Sequence, residues 1–229
     1  MIRIFAMIKP LAHLTEEQFH RHWRHPHGTL TCKIPQIRAY AQFHGIGSTP
    51  LLQGLPFTGH LGVPVIEIEQ LSDLDSMYAG PEFDAVREDS PKLYDPMDLI
   101  WLPTRSIKVT MPAELEFAVA PVNAMMFLKR STTCPALEFA MRVERFTHAV
   151  CHSISDPCGV RVNLAHSAYY SGQVQPPYDA VVEMLFINCV DFDRSWKCSD
   201  TQSLLAEAMH TFLEPSGSSG ILTRERKFL

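Results

Sequence analysis

The chain of 229 residues is 46% hydrophobic and 20% charged, with a formal net charge of −5. That balance supports a self-sufficient core without disulfides and excludes a disordered chain. No run approaches the roughly 18 apolar residues of a membrane-spanning helix, and the charge is spread with no basic half or tail, so neither a membrane nor nucleic acid is an expected partner. The six cysteines (Cys32, Cys134, Cys151, Cys158, Cys189 and Cys198) form no C-x-x-C pair. They read as small apolar residues in a reducing, cytoplasmic compartment.

In chain order, Ile2–Ile8 alternates like a strand, with Arg3 inside it, and does not read as an export signal. Thr15 then opens a helix with Glu16 and Glu17 in its first turn, where an N-cap and the helix dipole favour them. Phe19 and Trp23 lie four apart on one face of it. Strand patterns follow at Ile34–Ile46 and Val63–Ile68. Asp73–Arg87 reads as a helix that Gly80-Pro81 must break or kink, and Leu99–Val109 as a strand. The same order recurs: strand Val122–Lys129, helix Pro135–His152, strands Gly159–Ser171 and Tyr178–Asn188, helix Phe192–Leu213, strand Ile221–Leu229. Each half therefore reads β-α-β-β-α-β, the ferredoxin-like order, with boundaries at 1–110 and 122–229 and a linker at 111–121. Such a sheet is covered by helices on one face only. The short linker, and apolar residues on both phases of Tyr178–Asn188, favour an α+β fold in which two ferredoxin-like units pair sheet to sheet as a pseudo-dimeric barrel. Two independent domains are the alternative.

Four histidines crowd the segment Phe19-His20-Arg21-His22-Trp23-Arg24-His25-Pro26-His27-Gly28. His20, His22 and His25 read as a polar outer face. His27 falls where Pro26 and Gly28 end the helix, and there a bond to a nearby carbonyl and a functional role weigh equally. The spacing gives zinc no obvious pair of ligands on one face, so no metal is expected. On the strand Tyr40-Ala41-Gln42-Phe43-His44, the residues Tyr40, Gln42 and His44 share a face. A phenol, an amide and an imidazole are costly to bury unpaired. They either reach water or line a polar cleft, where they supply a donor, an orienting group and a general acid or base.

Phe19, His20, His22, Trp23, His27 and Gly28 after an N-terminal strand, followed by Tyr40, Gln42 and His44, resemble the EthD family. The likeness continues more loosely through Leu71–Phe83 and fades in the second half, where Val143 and Thr147 stand where Trp and His would recur. The resemblance implies a dimeric α+β barrel. Relatives of that fold include monooxygenases, dehydratases, decarboxylases and haem proteins, and the fold does not settle the reaction. One departure concerns a family glutamate at the start of the third strand. The second half keeps Glu183 with Asp179, while the first half has Val65 there and Glu67 two residues later on the same strand parity.

The expected function is an EthD-like enzyme, an oxidoreductase or lyase acting on a small hydrophobic carbonyl or aromatic compound in a catabolic or secondary-metabolite pathway. His27, His44 and Tyr40 are the candidate catalytic residues, and Trp23, Gln42 and Glu67 the candidate substrate contacts. Proton transfer, as in dehydration or decarboxylation, needs only these side chains, and cofactor-independent oxidation stays open beside it. No Rossmann or phosphate-loop glycine pattern appears, so no cofactor is predicted; haem is carried as an alternative on the resemblance alone. The competing reading is a non-catalytic barrel that binds a hydrophobic ligand or haem. Tandem halves satisfy each other as a monomer or pair again as a homodimer.

Overall fold

The computed structural model describes residues 1–47, 51–116, 118, 120–154, 158–171 and 175–229. Phe117 and Val119, within the predicted linker, lie outside the described residues. The chain divides into two compact units, one of Met1–Ser48, Gly59–Thr104 and Glu225–Leu229, the other of Thr49–Thr58 and Arg105–Arg224. The fold is mixed α+β, and its eight strands follow the closed antiparallel order β1-β3-β2-β8-β5-β7-β6-β4.

The first unit runs β1 (Ile2–Met7), α1 (Glu16–His22), α2 (Thr29–Thr31), β2 (Ala39–Gly45), β3 (Gly62–Ile68), α3 (Asp73–Tyr78), α4 (Pro81–Asp89) and the start of β4 (Ile100–Thr110). β1 pairs antiparallel with both β3 and β4, and β3 also pairs with β2. Residues facing one another across such a ladder share a face of the sheet. The register Tyr40↔Ile66, Gln42↔Pro64 and His44↔Gly62, with Ile4↔Ile66, gathers these side chains on one face. Glu67, one step from Ile66, falls on the other.

The start of α1 follows from its sequence. Thr15 Oγ1 accepts from Gln18 N at 3.1 Å, and Gln18 Oε1 accepts from Thr15 N at 2.9 Å, a reciprocal capping box. Phe19 and Trp23 are fully buried. Beyond Trp23 the winding widens over Trp23–Gly28. His25 leaves helical backbone (φ −144°, ψ 125°), and the His25–Pro26 peptide is cis. Gly80 breaks the third helical stretch as its sequence requires, with Pro81 opening α4.

The second unit runs α5 (Ala113–Glu116), β5 (Val122–Leu128), α6 (Ala136–Ser153), β6 (Cys158–Ala165), α7 (Ala168–Ser171), β7 (Ala180–Phe186), α8 (Cys189–Trp196), α9 (Ser199–Thr211) and β8 (Ser219–Lys227). β5 pairs with β7 and β8, and β7 with β6. Every residue of β5 is buried, the mark of a strand covered on both faces. Glu183 is buried too, held by Asn163 Nδ2 at 3.0 Å and Asn123 Nδ2 at 3.3 Å.

Three sequence expectations change. The strand read from Ile34 begins only at Ala39, because Ile34–Ile37 close a turn (Ile37 N to Ile34 O, 3.2 Å) around Pro35 while both isoleucines stay buried. The strand read to Ser171 ends at Ala165, with α7 beyond it. The helix read over Phe192–Leu213 is two: Cys198 is extended and caps α9 through its sulfur, which accepts from Thr201 N. Among the described residues no helix is long and apolar enough to cross a membrane, and none of the six cysteines is in a disulfide.

Candidate active site

A cavity of about 370 Å³ opens in the first unit, over the helix-covered face of its sheet. Its walls are chiefly apolar and aromatic: Ile8 and Trp101 from the sheet, Tyr78, Phe83 and Val86 from α3 and α4, and Tyr94 beyond them. His27, Thr31, Tyr40 and Ser90 add polar groups, and Arg87 also borders it. Arg87 is tied to Asp84 and to the carbonyl of Tyr78.

His27 is 4% exposed and Asp89 2%. His27 Nδ1 lies 3.1 Å from Asp89 Oδ2. An ionised carboxylate only accepts, so the neutral imidazole carries its proton on Nδ1 and its Nε2 lone pair is bare at the cavity. Asp89 also accepts from His22 Nε2 at 3.0 and 3.1 Å and from Lys92 Nζ at 3.2 Å. Burial opposes its ionisation, but bonds from His22, Lys92 and His27 outweigh that and hold the carboxyl below its ordinary pKa. Burial is the main influence on His27 and lowers its pKa, partly offset by Asp89. The imidazole therefore stays neutral near pH 7 and is oriented by a carboxylate, the geometry of a general base.

Tyr40, also on the cavity wall, is oriented by a chain of bonds that begins at the main chain. The Trp23 carbonyl can only accept, and Gln42 Nε2 donates to it at 2.7 Å. The second Gln42 N–H goes to the Tyr40 hydroxyl oxygen at 2.8 Å, so the phenol O–H acts as a donor, with the Thr31 hydroxyl beside it. Gln42 Oε1 then accepts from His44 Nε2 at 3.1 Å. His44 Nδ1 is thereby bare and accepts from His20 Nδ1 at 2.9 Å. Burial pushes the phenol pKa of Tyr40 well up, so it remains a donor.

The structure thus brings His27 and Tyr40 to one cavity and leaves the other sequence candidates off its walls. His44 lies farther along β2, under Trp23, with both ring nitrogens engaged. Burial, then His20, Arg24 and Arg226, lower its pKa to about 3. It positions Gln42 and has no free lone pair to act as a base. Trp23 packs on Phe19 (centroids 5.5 Å apart) and on His44 (4.5 Å). It seats against Gly62, where a Cβ would come within 2.8 Å of its ring, so it is core and not a substrate wall. Gln42 is likewise sealed at 0% exposure. Glu67 projects from the opposite sheet face and pairs with Arg3 Nη1 at 2.8 Å. Of the residues read as a polar outer face, His25 is exposed, but His22 braces Asp89 and His20 holds His44. Asp89 was missed because it is 62 residues from His27. Its one signal is position: a carboxylate at the last residue of α4 opposes the helix dipole and needs a reason to be there.

For haem, His27 offers the type of ligand iron takes, an imidazole held by a carboxylate with its second nitrogen free. The hollow lies near the low end of the roughly 300–1,000 Å³ of ligand pockets. Among the described residues no group of three His, Cys, Asp or Glu side chains is arranged to hold a metal ion.

Solved structures share the fold over nearly the whole chain. An anthrone oxidase-like protein matches with a TM-score of 0.66 at 6% identity, covering 99% of this chain and 92% of its own. A candidate monooxygenase from Fusobacterium nucleatum matches at 0.59 and 6%, covering 99% and 93%. A candidate chlorite dismutase matches at 0.54 and 9%, covering 98% and 94%. At these identities the likeness establishes the α+β barrel fold alone. No curated protein matches the sequence. The family model of the EthD domain matches residues 11–97, a span that holds His22, His27, Tyr40 and Asp89. Over that segment the chain is similar to the EthD domain.

Proposed function

We propose that the first unit is an enzyme that removes a proton from a small, flat, mostly apolar carbonyl or phenolic compound. The observation that carries this reading is the His27–Asp89 pair at 3.1 Å on the wall of an aromatic cavity. His27 Nε2 takes the proton, Asp89 stabilises the imidazolium that results, and Tyr40 O–H donates to the enolate or phenolate oxygen as charge develops there. Tyr78, Phe83 and Trp101 hold the ring system and keep water out. Proton removal is the first step of a dehydration by elimination and of a cofactor-independent oxidation in which dioxygen takes the electrons of the resulting carbanion, whereas in a decarboxylation the imidazole would return a proton to the carbanion left by loss of CO₂; similarity to the anthrone oxidase-like and monooxygenase folds supports the oxidative branch.

Deuterium exchange tests this. A panel of aryl ketones and phenolic ketones is incubated with the protein in D₂O and followed by NMR. At least one member exchanges its acidic C–H, and His27→Asn slows that exchange by ~100-fold or more. Exchange as fast in the variant as in the parent removes His27 from the mechanism. Tight binding without exchange favours a ligand carrier, the reading to which the apolar lining also lends itself.

A further inference from the structure

Away from the cavity, the exposed side of α1 and the turn after it meet the end of β8. Glu17, His20, Arg21 and Arg24 follow at three- and four-residue spacing and so share a helical face. With His25 and Arg226 they enclose a second hollow of about 560 Å³ within the first unit. Three guanidiniums face it against one carboxylate, in a chain whose net charge is −5. Arg21 and Arg24 form no ion pair among the described residues. Arg226 is parked without being neutralised. One of its N–H groups reaches His25 Nε2 at 3.4 Å, and its guanidinium stands 5.3 Å over the Phe228 ring. His25 can accept that bond when its other nitrogen donates to Thr29 Oγ1 at 2.6 Å. Cations gathered in a concavity repel one another and are best satisfied by an anion with several acceptor oxygens, which the planar guanidinium fork matches two bonds at a time.

We propose that this hollow binds a small-molecule oxyanion, a phosphate or a carboxylate group, with Arg24 and Arg226 as principal ligands and Arg21 at the rim. The site is separate from the cavity at His27 and stands whether or not that cavity is catalytic. It has an internal reporter, because His20 lines the hollow and also donates to His44.

The test uses the full chain at constant ionic strength, titrated with inorganic phosphate or succinate against chloride, and read by calorimetry and by the imidazole NMR signals of His20 and His44. Saturable binding of one anion per chain is expected, with both imidazoles shifting in step. Arg24→Gln and Arg226→Gln each weaken it by about tenfold, and Arg194→Gln on the second unit leaves it unchanged. Phosphate alone saturating assigns a phosphate ester, succinate alone a carboxylic acid, and both a general oxyanion; each supports the site. Lack of saturation by either anion up to about 10 mM, or equal binding by the Arg24→Gln/Arg226→Gln double variant, overturns it. Arg24→Lys and Arg226→Lys keep the charge and lose the fork, so intermediate weakening in a folded protein separates bidentate binding from loose screening.

Discussion

Asp89→Asn keeps the shape of the side chain and removes its charge. The carboxylate serves three donors, His22, His27 and Lys92, at 3.0 to 3.2 Å. A hydrogen bond to a charged group contributes about 1.5–3 kcal/mol against 0.5–1.5 for a neutral one, so each loses roughly 1 kcal/mol. The Lys92 side chain is 64% exposed, and its share is heavily screened. The expected loss is therefore about 2 kcal/mol, or roughly 4–8 °C in Tm for a chain this size. The chemical effect is larger. The amide has one acceptor, and when its NH₂ faces His27 Nδ1 the imidazole proton must move to Nε2, so the bare lone pair at the cavity disappears. Loss of a correct tautomer of this kind costs about 10⁴-fold in a serine protease. Differential scanning calorimetry at pH 7 and long-range ¹H–¹⁵N spectra of His27 measure both effects. The sign with pH is fixed by the lowered carboxyl pKa: the advantage of Asp89 is present above the ordinary carboxylate range and is lost as pH falls through the folded value, so the two Tm curves converge in acid. An unchanged Tm together with retention of the Nδ1 proton would refute the assignment.

Burial lowers the pKa of His44 to about 3 from 6.5, so between those values the unfolded chain binds the proton and the folded one does not. Stability is then complete above pH 6.5 and falls by up to about 1.4 kcal/mol per pH unit below it; His44→Gln should flatten that slope in urea titrations across the window. Gly62→Ala drives a Cβ to 2.8 Å from Trp23 Cζ3 and 3.1 Å from Phe19 Cζ. It should destabilise by ~1–3 kcal/mol in chemical denaturation, with near-ultraviolet dichroism reporting the displaced indole. Tyr40→Phe removes the donor from the cavity and leaves a Gln42 N–H without its acceptor. Any exchange activity should drop at least tenfold while chemical denaturation shows a loss near 1 kcal/mol, and parental turnover would exclude the phenol from the reaction.

The strand and helix order was legible because alternation and helical spacing are local. Thr15 and Gly80-Pro81 punctuate the chain where the structure does, while Pro35 hid a turn inside an apolar run. Strand parity put Tyr40, Gln42 and His44 on one face, yet it could not say how far each lies from a cavity set by α3 and α4. Only Tyr40 reaches that cavity; the others are sealed under Trp23, whose placement depends on the bare Cα of Gly62. The pairing of His27 with Asp89 is tertiary, made when α4 returns against α2, and no spacing in the sequence encodes it.

A peptide carbonyl cannot be turned round as a hydroxyl can. The direction of every proton from Gln42 outward is thus inherited from the backbone of Trp23, and the phenol at the far end is committed to giving rather than receiving. Gln42→Glu would set a carboxylate oxygen against that carbonyl, two acceptors with no proton between them, and would draw the Tyr40 O–H toward itself. The folded protein could relieve the conflict only by taking up a proton, which would turn a fixed donor at the cavity into one that answers to acidity.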